Sequence, residues 1–122
     1  MRKILFLFAI LFLVGCSSDK INSAALYKQI DGQLAVEFVK DSKAILIDVR
    51  TFEEFNEGHI EQAINIPVDE ITKERLEEVT EGKLDNIIVY CKSGNRSKNA
   101  ALKIIELGYT NVYDLGSINN WG

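Results

Sequence analysis

Residues 86–107 constrain the fold of this chain more than any other segment. Four consecutive apolar residues that favour β structure, 87–90, predict a buried strand. From residue 97 to residue 107 the apolar residues recur at helical spacing, and Gly108 follows as a stop signal. Between them lie residues 91–96, Cys-Lys-Ser-Gly-Asn-Arg. The segment therefore predicts a strand that leads through a short loop into a helix.

A loop between a strand and a helix can direct backbone N–H groups toward a bound anion. The positive end of the helix lies beneath such a loop and favours negative charge. Cys91 stands at its entrance, and helix N-termini and nearby cations lower a cysteine pKa from ~8.5 to ~3.5–7.5. Lys92 and Arg96 supply the cations. We interpret Cys91 as a nucleophile in a site for an anionic sulfur species.

The N-terminus reads MRKILFLFAILFLVGC, with two basic residues ahead of an apolar run at residues 4–14. This run is too short to span a bilayer and fits a secretory signal. Its end, LVGC, resembles a bacterial lipobox, which implies cleavage before Cys16 and a diacylglycerol on that cysteine. Residues 1–15 are then a signal peptide and residues 16–25 a tether from the lipid. We expect an exported protein anchored to the cell envelope, on either the periplasmic face or the outer surface; the alternative is an ordinary signal peptide.

The length of the chain, 122 residues, fits one domain, which we place at residues 26–122. The chain has two cysteines, so a lipidated Cys16 leaves Cys91 without an internal disulfide partner and favours a reactive role. The net charge of −4 argues against a nucleic-acid partner. A single histidine and one available cysteine do not make a tetrahedral metal site. We expect no metal, no cofactor and a monomer.

Short apolar strands alternate with helical patterns along the domain. Strands are predicted at 27–30, 44–49, 63–66, 87–90 and 111–115, and helices at 31–41, 52–56, 71–79 and 97–107. This order predicts an α/β fold with a mainly parallel sheet covered by helices on both faces. Ligands of such sheets bind beyond the carboxyl ends of the strands. Because Asp48, Arg50 and Cys91 all lie at or just past strand ends, we expect them to surround one pocket.

Three segments in matching order resemble a single-domain rhodanese: LIDVRTFEEFNEGHIEQAINIPVDEI, IIVYCKSGNRS and GYTNVYDLGSINNW. The resemblance implies the three-layer rhodanese fold and sulfurtransferase activity. It further implies that Cys91 carries a persulfide. Sulfane sulfur would pass from a small anionic donor such as thiosulfate to a thiophilic acceptor, either cyanide or a thiol.

The resemblance also assigns site residues. Cys91 matches the sulfur-carrying cysteine, and the amides of the following loop surround the persulfide. Asp48 and Arg50 match an architectural D-x-R motif, with the arginine near the pocket rim, and His59 matches a structural Gly-His-Ile turn. The expected substrate-binding residues are Lys92, Ser93, Gly94, Asn95, Arg96 and Ser97.

Two side chains have further interpretations from the residues themselves. Ser97 has the residue type of a helix cap, and its hydroxyl could also reach the sulfur. Glu54 forms a capping box with Thr51, and we expect it to share a solvated helix face with Glu53 and Glu57.

Two other classes of protein share parts of this pattern. Cysteine phosphatases and arsenate reductases also place a cysteine and an arginine on a loop before a helix, but those loops resemble C-x5-R. Cys91 and Arg96 enclose four residues, and the tighter loop favours sulfur over a tetrahedral phosphate. A lipid-anchored module that binds or regulates without turnover is the other alternative, although the retained cysteine favours an enzyme. A thioredoxin-like protein is excluded because no Cys-x-x-Cys motif is present.

Overall fold

The computed structural model describes residues 22–122, and five strands within them form one sheet. The strands are β1 (Lys28–Gln29), β2 (Ile45–Asp48), β3 (Ile64–Asn65), β4 (Ile87–Cys91) and β5 (Val112–Ser117). Their order across the sheet is β1-β5-β4-β2-β3, and every neighbouring pair is parallel. Such an order requires crossover connections, which the intervening helices supply. The predicted α/β fold is confirmed.

Within residues 22–122 there are five α-helices, of which the first precedes β1 and the other four connect successive strands. They are α1 (Ser23–Leu26), α2 (Gly32–Lys40), α3 (Phe52–Glu57), α4 (Lys73–Val79) and α5 (Asn95–Glu106). Short 3-10 helices add Val68–Glu70 and Ile118–Asn120. The Asp31 side chain caps α2 by accepting from the Gln33 amide at 3.1 Å, and Thr51 and Glu54 form the predicted capping box at the start of α3. These local signals therefore set the helix starts as the sequence predicted.

Both faces of the sheet are buried. Ile87, Val89 and Cys91 of β4 point into one core with residues of α1, α4 and α5. Ile88 and Tyr90 point to the opposite face, where they pack with residues of α2. Because successive side chains of a strand alternate between faces, a strand covered on both sides must be apolar throughout. The continuous apolar run of β4 follows from its central position, and the three layers are those of the predicted fold.

The structure differs from the prediction at the beginning of the domain. The expected tether extends to residue 25, yet α1 occupies Ser23–Leu26 and Leu26 and Tyr27 pack against the core beside α5. Burial of these two apolar side chains is the physical reason for the ordered start. Cys16 and the predicted signal peptide lie outside the described residues. Within residues 22–122, no helix has the length and apolar character needed to cross a bilayer.

Two other helices begin at different residues from those predicted. Helix α4 begins at Lys73 with Thr72 as its cap, so the buried Ile71 precedes the helix. Helix α5 begins at Asn95 instead of Ser97. The earlier start of α5 brings its first turn directly against Cys91, and it therefore shapes the site described next.

Candidate functional site

Cys91 is the last residue of β4 and is fully buried. Its Sγ atom accepts the backbone N–H groups of Gly94 at 3.0 Å and of Ser97 at 3.3 Å. Both donors belong to the loop and the first turn of α5, at the positive end of a twelve-residue helix. The predicted arrangement of amides directed at the cysteine is therefore present.

Gly94 makes this tight connection possible. Its φ of 107° lies in the left-handed region, which side chains with a Cβ rarely adopt. A Cβ on Gly94 would meet Gly116 Cα at an ordinary 3.9 Å, so conformation and not space is the reason for glycine. Gly94 also serves as the N-cap residue of α5.

Ser97 is not the helix cap that its residue type suggested. It lies inside the first turn of α5, because Asn95 and Arg96 are already helical, and it is buried there. Its hydroxyl carries one proton, which it can donate either to the Gly94 carbonyl at 3.1 Å or to the Cys91 sulfur. Ser97 therefore donates its backbone N–H to the sulfur, and its hydroxyl can donate a second hydrogen bond to the same atom.

Opposing effects act on the Cys91 thiol. Burial is the largest and raises its pKa, whereas hydrogen bonds from the Ser97 hydroxyl and from the amides of Ser97, Gly94 and Ser93 lower it. Together the hydrogen bonds outweigh burial, and the pKa of Cys91 falls below the ordinary thiol value. The thiolate, which is the nucleophilic form, is correspondingly favoured.

The lowered pKa predicts how alkylation of Cys91 depends on pH. The rate of reaction with iodoacetamide should rise with pH and level off once the thiol is ionised, with its inflection below the ordinary thiol value. Ser97→Ala should move the inflection upward, because one hydrogen bond to the thiolate is lost. The measurement is the alkylation rate of the purified, reduced protein across a pH series. An inflection at or above the ordinary value would contradict this account.

Arg96 is engaged by a carboxylate. Its Nη1 and Nη2 atoms donate to the two oxygens of Glu54 at 2.7 and 3.1 Å. This contact lowers the pKa of Glu54 to about 2, first through the hydrogen bond from Arg96. Glu54 is therefore not on a solvated face as predicted, whereas Glu53 and Glu57 are exposed. Capping-box spacing identified Glu54, but its partner lies 42 residues further along the chain.

Asp48 and Arg50 form a buried ion pair at the end of β2. The guanidinium donates from Nη2 to Asp48 Oδ2 at 2.7 Å and to the Gly58 carbonyl at 2.6 Å. Tyr90, which the sequence showed only as a strand residue, donates its hydroxyl to Asp48 at 2.8 Å and accepts the Ile60 amide at 3.1 Å. These contacts, which link the ends of β2 and β4 to the turn after α3, are consistent with the expected architectural role. Arg50 is buried, however, and does not lie open at a rim.

His59 lies outside this network. It is exposed, its ring stacks on Phe55 with centroids 3.6 Å apart, and its Nδ1 atom lies 2.8 Å from the Phe55 carbonyl. These contacts attach the turn after α3 to Phe55 of that helix, which is consistent with a structural histidine.

The remaining loop residues face solvent. Lys92, Ser93 and Asn95 are exposed, and Ser93 and Asn95 line a groove of about 610 Å³ between the loop and β5. Sequence reasoning missed Asp114 on the far wall. Its buried carboxylate accepts the Tyr27 hydroxyl and the Gly116 amide. Burial, followed by the hydrogen bond to Asp114 and the charge of Asp114, raises the pKa of Tyr27 to about 12. Asp114 is a single acidic residue in a predicted strand, and nothing in the surrounding sequence indicates that it lines a groove.

Known proteins share this sequence and fold. The chain is 39% identical over 74 residues to thiosulfate sulfurtransferase PspE of Escherichia coli (strain K12), covering 61% of this chain and 70% of that protein. It is 41% identical over 85 residues to thiosulfate sulfurtransferase 16, chloroplastic, of Arabidopsis thaliana, covering 62% and 71%. A solved structure of a rhodanese with anions from E. coli has a TM-score of 0.57 and 37% identity, covering 63% of this chain and 89% of that one. Residues 31–122 match the family model of the rhodanese-like domain. The chain belongs to the rhodanese family.

Proposed function

We propose that this protein is a sulfurtransferase that moves sulfane sulfur from thiosulfate or a related donor to cyanide or a thiol through a persulfide on Cys91. One observation carries the proposal: Cys91 is the last residue of β4, and its Sγ atom accepts two backbone N–H groups at the N-terminus of α5. The two curated relatives named thiosulfate sulfurtransferase support the same reaction class.

In the first half of the reaction the Cys91 thiolate attacks the outer sulfur of thiosulfate. A new S–S bond forms on Cys91, the donor's S–S bond breaks, and sulfite leaves with the electron pair. The amides of Gly94 and Ser97 hold negative charge at Sγ before attack, and the loop amides receive it on the transferred sulfur afterwards. Because these N–H dipoles are already oriented, the backbone needs little rearrangement when the negative charge moves from Sγ to the transferred sulfur.

In the second half a thiophilic acceptor attacks the outer sulfur of the persulfide. The S–S bond on Cys91 breaks, the acceptor takes the sulfur, and the Cys91 thiolate is restored. No general base is needed for attack by an already ionised thiolate, in keeping with the exposed, structural position of His59. Lys92, exposed at the loop, would attract anionic donors.

Intact-mass analysis tests the persulfide directly. The reduced protein is incubated with thiosulfate and then with cyanide, and its mass is measured after each step. We expect a gain of one sulfur atom that cyanide removes, with thiocyanate as the product. A folded, reduced protein that takes up no sulfur from thiosulfate or from a hydropersulfide would instead favour the non-catalytic binding module.

We also propose that the protein is exported and lipid-anchored through Cys16. The support is the sequence pattern LVGC after a short apolar run. Several acyl chains on one residue hold a protein to a membrane durably, where a single chain would not.

Metabolic labelling with radioactive palmitate in a bacterial host tests the anchor. The wild type should incorporate label and sediment with membranes, whereas Cys16→Ala should lose both properties. Cys91→Ser serves as the matched control and should keep them, since Cys91 is buried. Label that persists in Cys16→Ala would contradict lipidation at this position.

A further inference from the structure

The Arg96–Glu54 ion pair lies directly beside the sulfur site. Arg96 is the residue between Asn95 and Ser97 in the first turn of α5, and the Ser97 amide contacts Cys91 Sγ. Both N–H groups of the guanidinium fork that face Glu54 are engaged, at 2.7 and 3.1 Å. Paired contacts of this kind are among the strong charge-assisted hydrogen bonds. The loop arginine is thus occupied by an anion of the protein itself.

Glu54 is held in this position from two sides. Its Oε1 atom also accepts the backbone N–H and the hydroxyl of Thr51, each at 3.1 Å, in the capping box of α3. Its pKa is lowered to about 2, mainly by Arg96, so the carboxylate is ionised at neutral pH. The hydrogen bond with Glu54 raises the pKa of Arg96, and the charge of Cys91 adds to that rise. The thiolate and the carboxylate therefore share one cation.

Among the residues that the structure describes, the other cations near the loop do not replace the positive charge of Arg96 that Glu54 neutralises. Arg50 is paired with Asp48 in the interior. Lys92 and Lys98 are exposed, where water and salt weaken their effect on the sulfur. The main attraction for an anion thus comes from the amides and the end of α5, which together suit a small charge.

Donors differ in the charge that they bring to the thiolate. Thiosulfate is a dianion, and its approach to an ionised Cys91 beside the Glu54 carboxylate gathers several negative charges in one place. The sulfur group of a hydropersulfide carries at most one negative charge, and none when it is protonated. The electrostatic cost of bringing it to the thiolate is therefore much lower.

We propose that Glu54 is a specificity-determining residue that biases the Cys91 site against thiosulfate and toward hydropersulfide donors. The proposal rests on the proposed sulfurtransferase function and adds the class of preferred donor. Cys91 attacks the terminal sulfur of the protonated donor R–S–SH; an S–S bond forms on Cys91 and the donor's S–S bond breaks. The thiolate R–S⁻ leaves with the electron pair, and the proton stays on the transferred sulfur.

The test compares two donors on the full-length protein and its variants. Cys91 loading is followed by intact mass with thiosulfate and with the hydropersulfide of 2-mercaptoethanol, and kcat/KM is measured for each donor. Glu54→Gln removes the charge and keeps the capping box, because glutamine also serves at that position. Glu57→Gln is the matched control: it removes an equal charge from an exposed site on the same helix.

We expect Glu54→Gln to raise the ratio of kcat/KM for thiosulfate to kcat/KM for the hydropersulfide by about tenfold. The positive charge of Arg96 is then no longer neutralised by residue 54. Glu57→Gln should change that ratio less than about twofold, because exposed charges are screened. Arg96→Gln should lower the ratio relative to wild type, leaving Glu54 without its cation.

Two results would overturn the inference. A ratio that stays the same in Glu54→Gln, whether both rates hold or both fall, would make Glu54 merely structural. A wild-type protein that prefers thiosulfate over the hydropersulfide would also contradict it while leaving the sulfurtransferase function intact. Failure of both donors to load Cys91 would contradict the proposed function itself and the inference with it.

Discussion

Replacing Cys91 with serine is expected to reduce sulfur transfer by at least about a thousandfold, to the background rate. A serine hydroxyl is not ionised at neutral pH and cannot form the persulfide that connects the two halves of the reaction. The measurement is thiocyanate formation from thiosulfate and cyanide, together with intact mass. No sulfur adduct should appear with any donor.

The fold should survive this change. Serine has nearly the same size as cysteine, and its oxygen can accept the amides of Gly94 and Ser97 that now contact Sγ. Urea unfolding should therefore place the variant within about 1 kcal/mol of the wild type. Transfer at wild-type rate by a folded Cys91→Ser protein would rule out the mechanism, whereas loss of both folding and transfer would leave the mass result on wild type as the deciding observation.

Replacing Arg50 with methionine is expected to cost about 3–5 kcal/mol in the free energy of unfolding. The change leaves the Asp48 carboxylate buried without its cation, with the Tyr90 hydroxyl and the Arg50 backbone amide as its remaining donors. It also leaves the Gly58 carbonyl without the guanidinium donor at 2.6 Å. Breaking a buried pair from one side is costly because an uncompensated charge stays in the interior.

Urea unfolding of Arg50→Met measures this cost, and Lys73→Met is its control. Lys73 pairs with Glu77 at 3.6 Å, but both side chains are more than half exposed, so that loss should stay below about 1 kcal/mol. A similar small loss in Arg50→Met would show that the Asp48 site rehydrates and that the ion pair does not support the fold.

Local patterns account for most of the fold. The apolar run of β4 reflects burial on both faces, and the caps at Asp31 and Thr51 depend on donors only two or three residues away. The same holds for the position of Cys91, because a cysteine between a strand and a helix lies near the helix N-terminus in any fold that forms both elements. Interactions of short range along the chain can be read from the sequence alone.

Contacts between distant segments decided the rest of the site. Glu54 and Arg96 each suggested a solvent-facing or ligand-facing charge, and the fold joined them into one ion pair between α3 and α5. Tyr90 is part of an apolar run, yet its hydroxyl reaches Asp48 on the neighbouring strand. The sequence by itself determined the layers and the position of Cys91 between a strand and a helix, because hydrophobic periodicity and capping are local. Only the tertiary structure decided which charges around the sulfur are neutralised, because ion pairing depends on which segments the fold brings within a few ångströms.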